Sequence, residues 1–311
     1  MRAVRIRDGR PQVVEVVPNS GEGVRVRVRS AGICGSDLHL LDSGAPIPVT
    51  LGHEVAGELA DGTPVAVEPL APCGHCPGCL RGDYNLCDRG PAIVLGVAGD
   101  GGMAEEMRVP ERALVPLPRG VRVEDACLVE PLAVALHGMR LAGLRGDERV
   151  AVVGGGTIGL CAVAAARDAG ARVGLEARHD PQREAGSALG AGEVSEGCDL
   201  VVDAAGTPAA LGRAVELCRA GGTLLLLATY WGGLELPGFA LCLKEVRVLP
   251  SSLYGRGPAG RDVDAAAALL ARRPEIAQRL ITHRFPLDAA PEAFETARRR
   301  SAGAIKVVLE P

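Results

Sequence analysis

The chain has 311 residues, of which 47% are hydrophobic and 23% charged, and its formal net charge is −4. This length suits two domains, and the apolar content suffices for packed cores and excludes a disordered chain. The sequence contains no apolar run of about 18 residues, so no membrane span is expected. No apolar segment follows the basic start, so no secretory signal is expected either. Because mild acidity gives no reason to expect nucleic acid, we predict a cytoplasmic protein with neither membrane nor nucleic-acid partners.

The first 120 residues are typical of an irregular β-rich domain. Valine and arginine alternate from residue 24 to residue 29, which predicts a strand with one buried face. Residues 54–59 and 64–67 predict two further strands that are joined at Asp61-Gly62.

The pattern changes near residue 124, where a helical stretch begins that Pro131 is expected to break. Strands and helices then alternate, which favours a doubly wound parallel sheet in an α/β protein. A nucleotide-type domain is therefore expected as an insertion in the β-rich domain, whose chain returns at the end. The predicted strands are 149–153, 172–176, 200–203, 223–228, 246–249, 281–285 and 304–309, and the predicted helices are 124–144, 160–169, 182–189, 209–218, 262–272 and 290–299.

Four of the ten cysteines fall within fifteen residues. Without an export signal, such a cluster indicates metal ligation rather than disulfide cross-linking. Four thiolates suit tetrahedral zinc and leave no open position, so the site is expected to be structural. The alternatives are free cysteines in a loop and a redox pair. The predicted ligands are Cys73, Cys76, Cys79 and Cys87.

A dispersed set of polar residues has the composition of a catalytic zinc centre. Such a centre needs three protein ligands and one open position. Cys34, His53 and Glu130 are candidates, with Glu54 as an alternative carboxylate. Each of these residues taken singly is equally compatible with an ordinary place in the core.

Three further residues follow Cys34 closely enough to act at the same centre. Ser36 is a candidate hydroxyl for proton transfer, and His39 is a candidate relay to solvent. Asp37 is a candidate for orienting a ligating imidazole.

A glycine turn follows the predicted strand 149–153 and matches the G-x-G-x-x-G pattern. Glycines there permit a tight turn and close approach of a pyrophosphate, which the free amides of the next helix bind. The alternative is a turn that merely packs. The predicted cofactor-binding residues of the turn are Gly154, Gly156, Thr157, Ile158 and Gly159.

The end of the predicted strand 172–176 bears on the choice of dinucleotide. Glu176 lies 22 residues after Gly154, near the position of an acid that binds the ribose of NAD. Ala177 and Arg178 follow directly, and an arginine there can bind the 2′-phosphate of NADP.

Together these motifs resemble the zinc-containing medium-chain dehydrogenase/reductase superfamily, most closely the polyol (sorbitol-type) and threonine dehydrogenases. The resemblance covers nearly the whole chain. Besides the cysteine cluster and the glycine turn, it is carried by residues 34–39, 51–54, 101–105, 130–137 and 280–286.

The resemblance implies a GroES-like catalytic domain, 1–130 plus 251–311, with an inserted Rossmann domain, 131–250. It implies NAD(P)-dependent oxidation of alcohols or reduction of ketones, in a homodimer or homotetramer. Cys34 and His53 take the places of zinc ligands, while Glu130 and Glu54 compete for the third. Ser36 takes the place of the proton-relay hydroxyl, and His39 that of the histidine beyond it.

Two points of substrate and cofactor choice follow. Aligned on the family, the acidic position falls on Ala177, which places Arg178 beside the adenosine ribose and favours NADP over NAD. With one Trp, three Tyr and three Phe, a wall of aromatic residues is hard to build, which favours a polar secondary alcohol such as a polyol, cyclitol, sugar-like or amino alcohol. The competing interpretations are a zinc-independent enone or quinone reductase and a non-catalytic dinucleotide-binding relative.

Overall fold

The computed structural model describes residues 1–18, 21–44 and 47–311. The chain divides into two compact units. The first unit comprises Met1–Glu130 and Gly255–Pro311, and the second comprises Pro131–Tyr254. The domain boundaries expected from the sequence stay a prediction. Within the described ranges, every helix is too short or too polar to cross a lipid bilayer.

Strands and helices of the described residues are numbered in chain order. The strands are β1 (Arg2–Arg7), β2 (Arg10–Glu15), β3 (Val24–Gly32), β4 (Glu54–Glu58), β5 (Pro64–Val67), β6 (Glu106–Val109), β7 (Leu114–Pro116), β8 (Arg149–Val153), β9 (Arg172–Glu176), β10 (Cys198–Asp203), β11 (Cys218–Leu226), β12 (Arg247–Pro250), β13 (Arg256–Gly257), β14 (Gly260–Arg261), β15 (Ile281–Pro286) and β16 (Lys306–Glu310). The α-helices are α1 (Gly35–Asp42), α2 (Pro77–Arg81), α3 (Val129–Ala142), α4 (Thr157–Asp168), α5 (Asp180–Ala188), α6 (Pro208–Leu217), α7 (Gly238–Lys244), α8 (Asp262–Arg272), α9 (Glu275–Leu280) and α10 (Ala290–Arg298).

The first unit is built on a seven-stranded sheet. Its order is β15-β16-β3-β4-β5-β7, and β6 also pairs with β3. All pairs are antiparallel except β15 with β16. Along β3 the valines Val26 and Val28 are buried while Arg25 and Arg27 are exposed, which confirms the predicted alternation. The predicted hairpin of β4 and β5 is also confirmed.

The second unit contains a five-stranded sheet in the order β12-β11-β10-β8-β9. All four pairings are parallel, as the alternation of strands and helices predicts. The apolar strands β8 and β10 lie in the interior of this sheet, and Ala151, Val201 and Leu224 belong to its buried core. In parallel sheets of this type, ligands bind outside the carboxyl ends of the strands where the order reverses, here between β8 and its two neighbours.

Two predicted features of the helices are wrong. Pro131 does not break a helix: it is the third residue of α3, in the first turn, where a backbone N–H has no partner within the helix to lose. The helix after the glycine turn begins at Thr157 rather than at residue 160, because Gly156 already has the extended backbone of an N-cap. Thr157, Ile158 and Gly159 therefore belong to the first turn of α4.

Lys244, one of the two lysines of the chain, caps the C-terminal end of α6 in the second unit. Lys244 Nζ donates hydrogen bonds to the carbonyl oxygens of Val215, Glu216 and Cys218, at 3.1, 2.7 and 2.9 Å. These carbonyls lie at the C-terminal end of α6, where a positive charge is favourable.

Candidate active site and metal centres

The four clustered cysteines of the first unit surround one point. Their sulfur atoms all lie within 4.8 Å of one another, and the Sγ atoms of Cys73 and Cys79 are 3.9 Å apart. Gly78 allows this closure, because a Cβ there would lie 2.7 Å from the carbonyl oxygen of Leu86. Four sulfurs in this arrangement have the chemistry and spacing of a closed tetrahedral zinc site.

Backbone N–H groups favour the thiolate form within this cluster. Those of Cys79 and Asp88 lower the pKa of Cys76 to about 6. The pKa of Cys87 is also lowered, by the backbone N–H groups of Cys73 and Arg89. Because a zinc ligand must be deprotonated, these donors favour metal binding at Cys76 and Cys87, whereas burial raises the pKa of Cys79 to about 12.

A second group of metal-binding side chains meets in the first unit. One potential ligand atom from each of Cys34, His53 and Glu54 lies within 4.8 Å of the others. Cys34 follows β3 and is the N-cap of α1. Glu54 begins β4, and its backbone pairs with Gly32 of β3. The antiparallel pairing of β3 and β4 thus brings together residues that are about twenty positions apart.

Contacts from α1 hold the imidazole of His53. Ser36 Oγ lies 3.3 Å from Nε2, and Asp37 Oδ1 lies 3.7 Å from Nδ1. Asp37 Oδ1 and His53 Nδ1 are both buried, and neither has a hydrogen-bond partner among the described residues, so their 3.7 Å contact is electrostatic. Burial by itself lowers the pKa of His53, but the charges of Asp37 and Cys34 outweigh it and raise that pKa well above its usual value. The carboxylate thus orients the ring and increases its basicity.

Glu54 is also bound by a lysine that the sequence analysis did not assign. Lys306 Nζ lies 2.7 Å from Oε1 and 2.6 Å from Oε2 of Glu54, and it donates to the carbonyl oxygen of Ile33 at 2.9 Å. Lys306 is 2% exposed and Glu54 1% exposed. Gly32 leaves the room for this carboxylate, since a Cβ there would lie 2.1 Å from Glu54 Oε2.

The remaining candidates of this centre lie around the group of three. Glu130, in the first turn of α3, is buried and lies outside the group whose ligand atoms share the 4.8 Å limit. Its charge nevertheless contributes to the raised pKa of His53. His39 lies one turn beyond Ser36 on α1 and is exposed.

In the glycine turn of the second unit, Gly156 leaves open space, whereas Gly154 and Gly159 are closely packed against backbone atoms. Gly154 has φ +108°, and a Cβ there would lie 2.9 Å from the backbone nitrogen of Ala205. A Cβ on Gly159 would lie 1.8 Å from the carbonyl oxygen of Gly154. Apart from the two chain neighbours of Gly156, no atom of the described residues lies within 4 Å of its Cβ position, directly before the N-terminus of α4. This open space at a helix start is where a pyrophosphate binds in such turns.

The three candidate residues at the end of β9 and directly after it have different surroundings. Glu176 accepts a hydrogen bond from Arg213 of α6 at 3.0 Å. Ala177 faces the glycine turn, since its Cβ lies 2.6 Å from the Cβ position of Gly155. Arg178 is exposed, and its guanidinium has no ion-pair partner among the described residues. The turn is held by Arg183, whose Nη1 donates to the carbonyl oxygens of Ala177 and Arg178.

Lys306 and Arg213 are not among the residues predicted from the sequence. Lysine is rare in this chain, with only Lys244 and Lys306 against 32 arginines; this rarity was the available signal for Lys306. No sequence pattern distinguishes Arg213 from the other arginines on helix surfaces, so its contact with Glu176 is not predictable.

The chain resembles known dehydrogenases over most of its length. Residues 20–119 match the alcohol dehydrogenase GroES-like domain. The chain is 32% identical over 309 residues to L-galactonate-5-dehydrogenase of Escherichia coli K12, covering 90% of this chain and 88% of that protein. The structure of galactitol-1-phosphate dehydrogenase from Escherichia coli matches it with a TM-score of 0.89 and 30% identity, covering 100% of both chains. A zinc-binding dehydrogenase structure from Sinorhizobium meliloti 1021, bound to NADP, matches with a TM-score of 0.87 and 32% identity, covering 100% of this chain and 99% of that one.

A GroES-like domain, a parallel nucleotide-binding sheet and two groups of metal-binding side chains define a dehydrogenase of the zinc-containing type. The chain belongs to the zinc-containing medium-chain dehydrogenase/reductase family. The fold class and the family inferred from the sequence are thereby confirmed.

Proposed function

We propose that this protein is a zinc-dependent, NAD(P)-linked dehydrogenase that interconverts a polar secondary alcohol and its ketone. The observation that carries the proposal is the convergence of Cys34, His53 and Glu54 within 4.8 Å in a chain of this family. When bound, zinc supplies a Lewis acid and the nicotinamide supplies the hydride acceptor.

Three protein ligands leave the fourth position of such a centre for substrate. Cys34 and His53 are the first two. We assign the third to Glu54 rather than Glu130, because only Glu54 shares the 4.8 Å limit with the other two. A carboxylate has lone pairs for two partners on each oxygen, so the contact with Lys306 leaves Glu54 able to bind a metal as well. Asp37 keeps the ring of His53 in place through Nδ1.

Ser36 and His39 are assigned to proton transfer. Ser36 Oγ lies beside the proposed ligand His53, within reach of a substrate hydroxyl bound at the same centre. The hydroxyl of serine both accepts and donates a proton. His39, exposed one turn along α1, passes the proton to solvent.

The proposed dinucleotide site is the glycine turn with the start of α4. Gly154, Gly156, Thr157, Ile158 and Gly159 form it, and the amides at the helix N-terminus bind the pyrophosphate. Its preference is for NADP. Ala177, the residue that faces the glycine turn, carries no carboxylate to bind ribose hydroxyls, and Arg178 offers a guanidinium to the 2′-phosphate.

The proposed substrate is a polyol, cyclitol, sugar-like or amino alcohol. Two of the relatives are named for L-galactonate and galactitol 1-phosphate, both rich in hydroxyl groups. The chain itself has only seven aromatic residues, one Trp, three Tyr and three Phe, with which to line an apolar pocket.

The test is a screen of polyols, amino alcohols, sugar acids and ketones with NADPH, NADH and their oxidised forms. Turnover of a polar alcohol, its loss in Cys34→Ala, and two zinc ions per chain are expected. Cys242→Ala, which alters an exposed cysteine away from both groups, is the matched control. Reduction of enones by a zinc-free protein would instead establish the zinc-independent reductase, and binding of dinucleotide with no turnover of any compound would establish a non-catalytic relative.

We also propose that the chain forms a homodimer or homotetramer in the cytoplasm. Trp231, Phe239 and Leu243 are exposed in the second unit, close in sequence to β12, which ends its sheet. Exposed apolar side chains beside an open strand edge favour pairing with another chain. Light scattering tests the oligomeric state. The wild type is expected to be oligomeric and Phe239→Ser to shift toward monomer, and a monomeric wild type would refute this proposal.

The cytoplasmic location is supported by the cysteines, because the reduced thiolates that two zinc centres need fit a reducing compartment.

A further inference from the structure

Two acidic side chains flank the turn between β9 and α5, and each is bound by an arginine from a helix. Glu176 Oε2 accepts from Nε of Arg213 on α6 at 3.0 Å. Asp180, the first residue of α5, is in contact with Arg183 of the same helix. Arg178, between these two acids in sequence, has no ion-pair partner among the described residues.

The direction of Glu176 matters because of the residue that follows it. Successive residues of an extended strand point to opposite faces. Ala177, directly after β9, lies against the glycine turn, whereas the hydrogen bond from Arg213 shows that Glu176 is directed toward α6. An acid at the end of this strand is the group that binds ribose hydroxyls and repels a 2′-phosphate.

We propose that Arg213 is a specificity-determining residue that favours phosphorylated dinucleotides by holding and neutralising Glu176. The inference rests on the proposed dinucleotide site. Without Arg213, Glu176 is a free carboxylate two residues from Arg178 in sequence, and it competes with the 2′-phosphate for the guanidinium of Arg178. With Arg213 in place, that competition is removed and Arg178 is available to the ligand.

This role differs from that of an ordinary surface ion pair. If the pair only stabilised the fold, removing either partner would have the same effect, and ligands with and without a 2′-phosphate would be affected alike. If Arg213 acts on specificity, its removal weakens only the phosphorylated ligand, and removal of Glu176 in addition restores the binding.

The experiment is calorimetric titration of the zinc-loaded, full-length protein with two probes, adenosine 2′,5′-bisphosphate and adenosine 5′-monophosphate. The proteins are the wild type, Arg213→Gln, Glu176→Gln and the double variant. Arg219→Gln is the matched control, because Arg219 forms a similar exposed pair with Asp199 elsewhere in the second unit. Binding of these probes is read without turnover.

The wild type is expected to bind the bisphosphate more tightly than the monophosphate. Arg213→Gln is expected to lower this ratio about threefold or more, as for one added unit charge near the phosphate, while the double variant and Arg219→Gln keep the ratio of the wild type. An unchanged ratio in Arg213→Gln, or an equal loss for both probes, would overturn the inference and leave the proposed function intact. Failure of the wild type to bind either probe would refute the dinucleotide site itself.

Discussion

Lys306 and Glu54 form a buried ion pair at the edge of the proposed catalytic centre, with Nζ 2.7 and 2.6 Å from the two carboxylate oxygens. The negative charge of Glu54 raises the pKa of Lys306, although burial alone would lower it. Glu54 therefore serves two cations in the proposed enzyme: the lysine permanently, and zinc when it is bound. A single carboxylate links the end of the chain to the metal centre.

Removal of the lysine alone is expected to be costly. Lys306→Met leaves Glu54 buried without its partner, which costs about 3–5 kcal/mol in comparable pairs. Chemical denaturation of the zinc-free protein, followed by circular dichroism, measures the loss. Lys306→Met/Glu54→Leu, which removes both charges, is expected to recover most of it. Lys244→Met, which loses hydrogen bonds to three carbonyls but leaves no buried charge unpaired, is expected to cost less than Lys306→Met. A Lys306→Met protein as stable as the wild type would contradict the account of this pair.

Gly32 is expected to be indispensable to the same centre. In Gly32→Ala the new methyl group meets Glu54 Oε2 at 2.1 Å, so the carboxylate has to leave its position. Metal analysis is expected to show about one zinc ion per chain instead of two, since the cysteine cluster is untouched. Gly35→Ala is the control, because its nearest neighbour is the end of the Arg300 side chain at 3.9 Å. Two zinc ions in Gly32→Ala would show that Glu54 is not a ligand.

The third zinc ligand can be identified directly. Glu54→Gln is expected to lose the catalytic zinc and Glu130→Gln to retain it, because Glu130 lies outside the group of three. Zinc content after dialysis against a mild chelator, with turnover measured in parallel, distinguishes them. The opposite result, with zinc lost only in Glu130→Gln, would assign the third position to Glu130.

The cysteine cluster is expected to be structural. Cys87→Ser removes one of four sulfurs and is expected to release one zinc ion and to lower the thermal unfolding temperature, because binding of a structural zinc contributes to folding. Differential scanning calorimetry with metal analysis tests this, and Cys242→Ser, at an exposed cysteine, controls for thiol loss. Full zinc content in Cys87→Ser would argue for a redox pair or free thiols.

Zinc retention at the catalytic centre is expected to depend on pH through His53. Zinc binds the neutral imidazole, and the raised pKa of His53 means that protons compete up to a higher pH than at an ordinary histidine. Affinity should therefore fall as the pH is lowered, beginning above the usual histidine pKa of about 6.5. Asp37→Asn removes the largest cause of the raised pKa of His53. The variant is expected to bind zinc more weakly than the wild type at high pH, and its affinity is expected to begin falling only at a lower pH.

Chelator competition across about pH 5 to 9 measures these two curves. Asp42→Asn, on the exposed side of the same helix, is the control and is expected to follow the wild type. Coincident midpoints for the wild type and Asp37→Asn would show that Asp37 does not set the basicity of His53.

Local sequence patterns predict most of the fold. The alternation along β3, the hairpin at Asp61-Gly62 and the parallel strands are readable from the sequence, because they rest on periodicity and on turn residues that act over a few positions. The continuous α3 is not readable, because a proline is harmless in the first turn of a helix but breaks its interior, and the sequence alone does not show where this helix begins.

The proposed centre was predictable by residue type but not by geometry. The contact between Lys306 and Glu54 joins residues 252 positions apart, and it exists only because β16 and β4 both flank β3 in one sheet. Likewise, the direction of Glu176 depends on where α6 crosses the second sheet. No local pattern encodes either relationship, since both arise from the packing of distant elements.

The two lysines have a practical consequence. One amine is enclosed by a carboxylate and a carbonyl group, and the other is held by three carbonyl oxygens. Acylating reagents and aldehyde fixatives attack uncharged amines, so Lys306, which is 2% exposed and paired with Glu54, is expected not to react in the native state, and the half-buried Lys244 is expected to react slowly. Reaction of the Lys306 amine would therefore report local unfolding around the proposed catalytic centre.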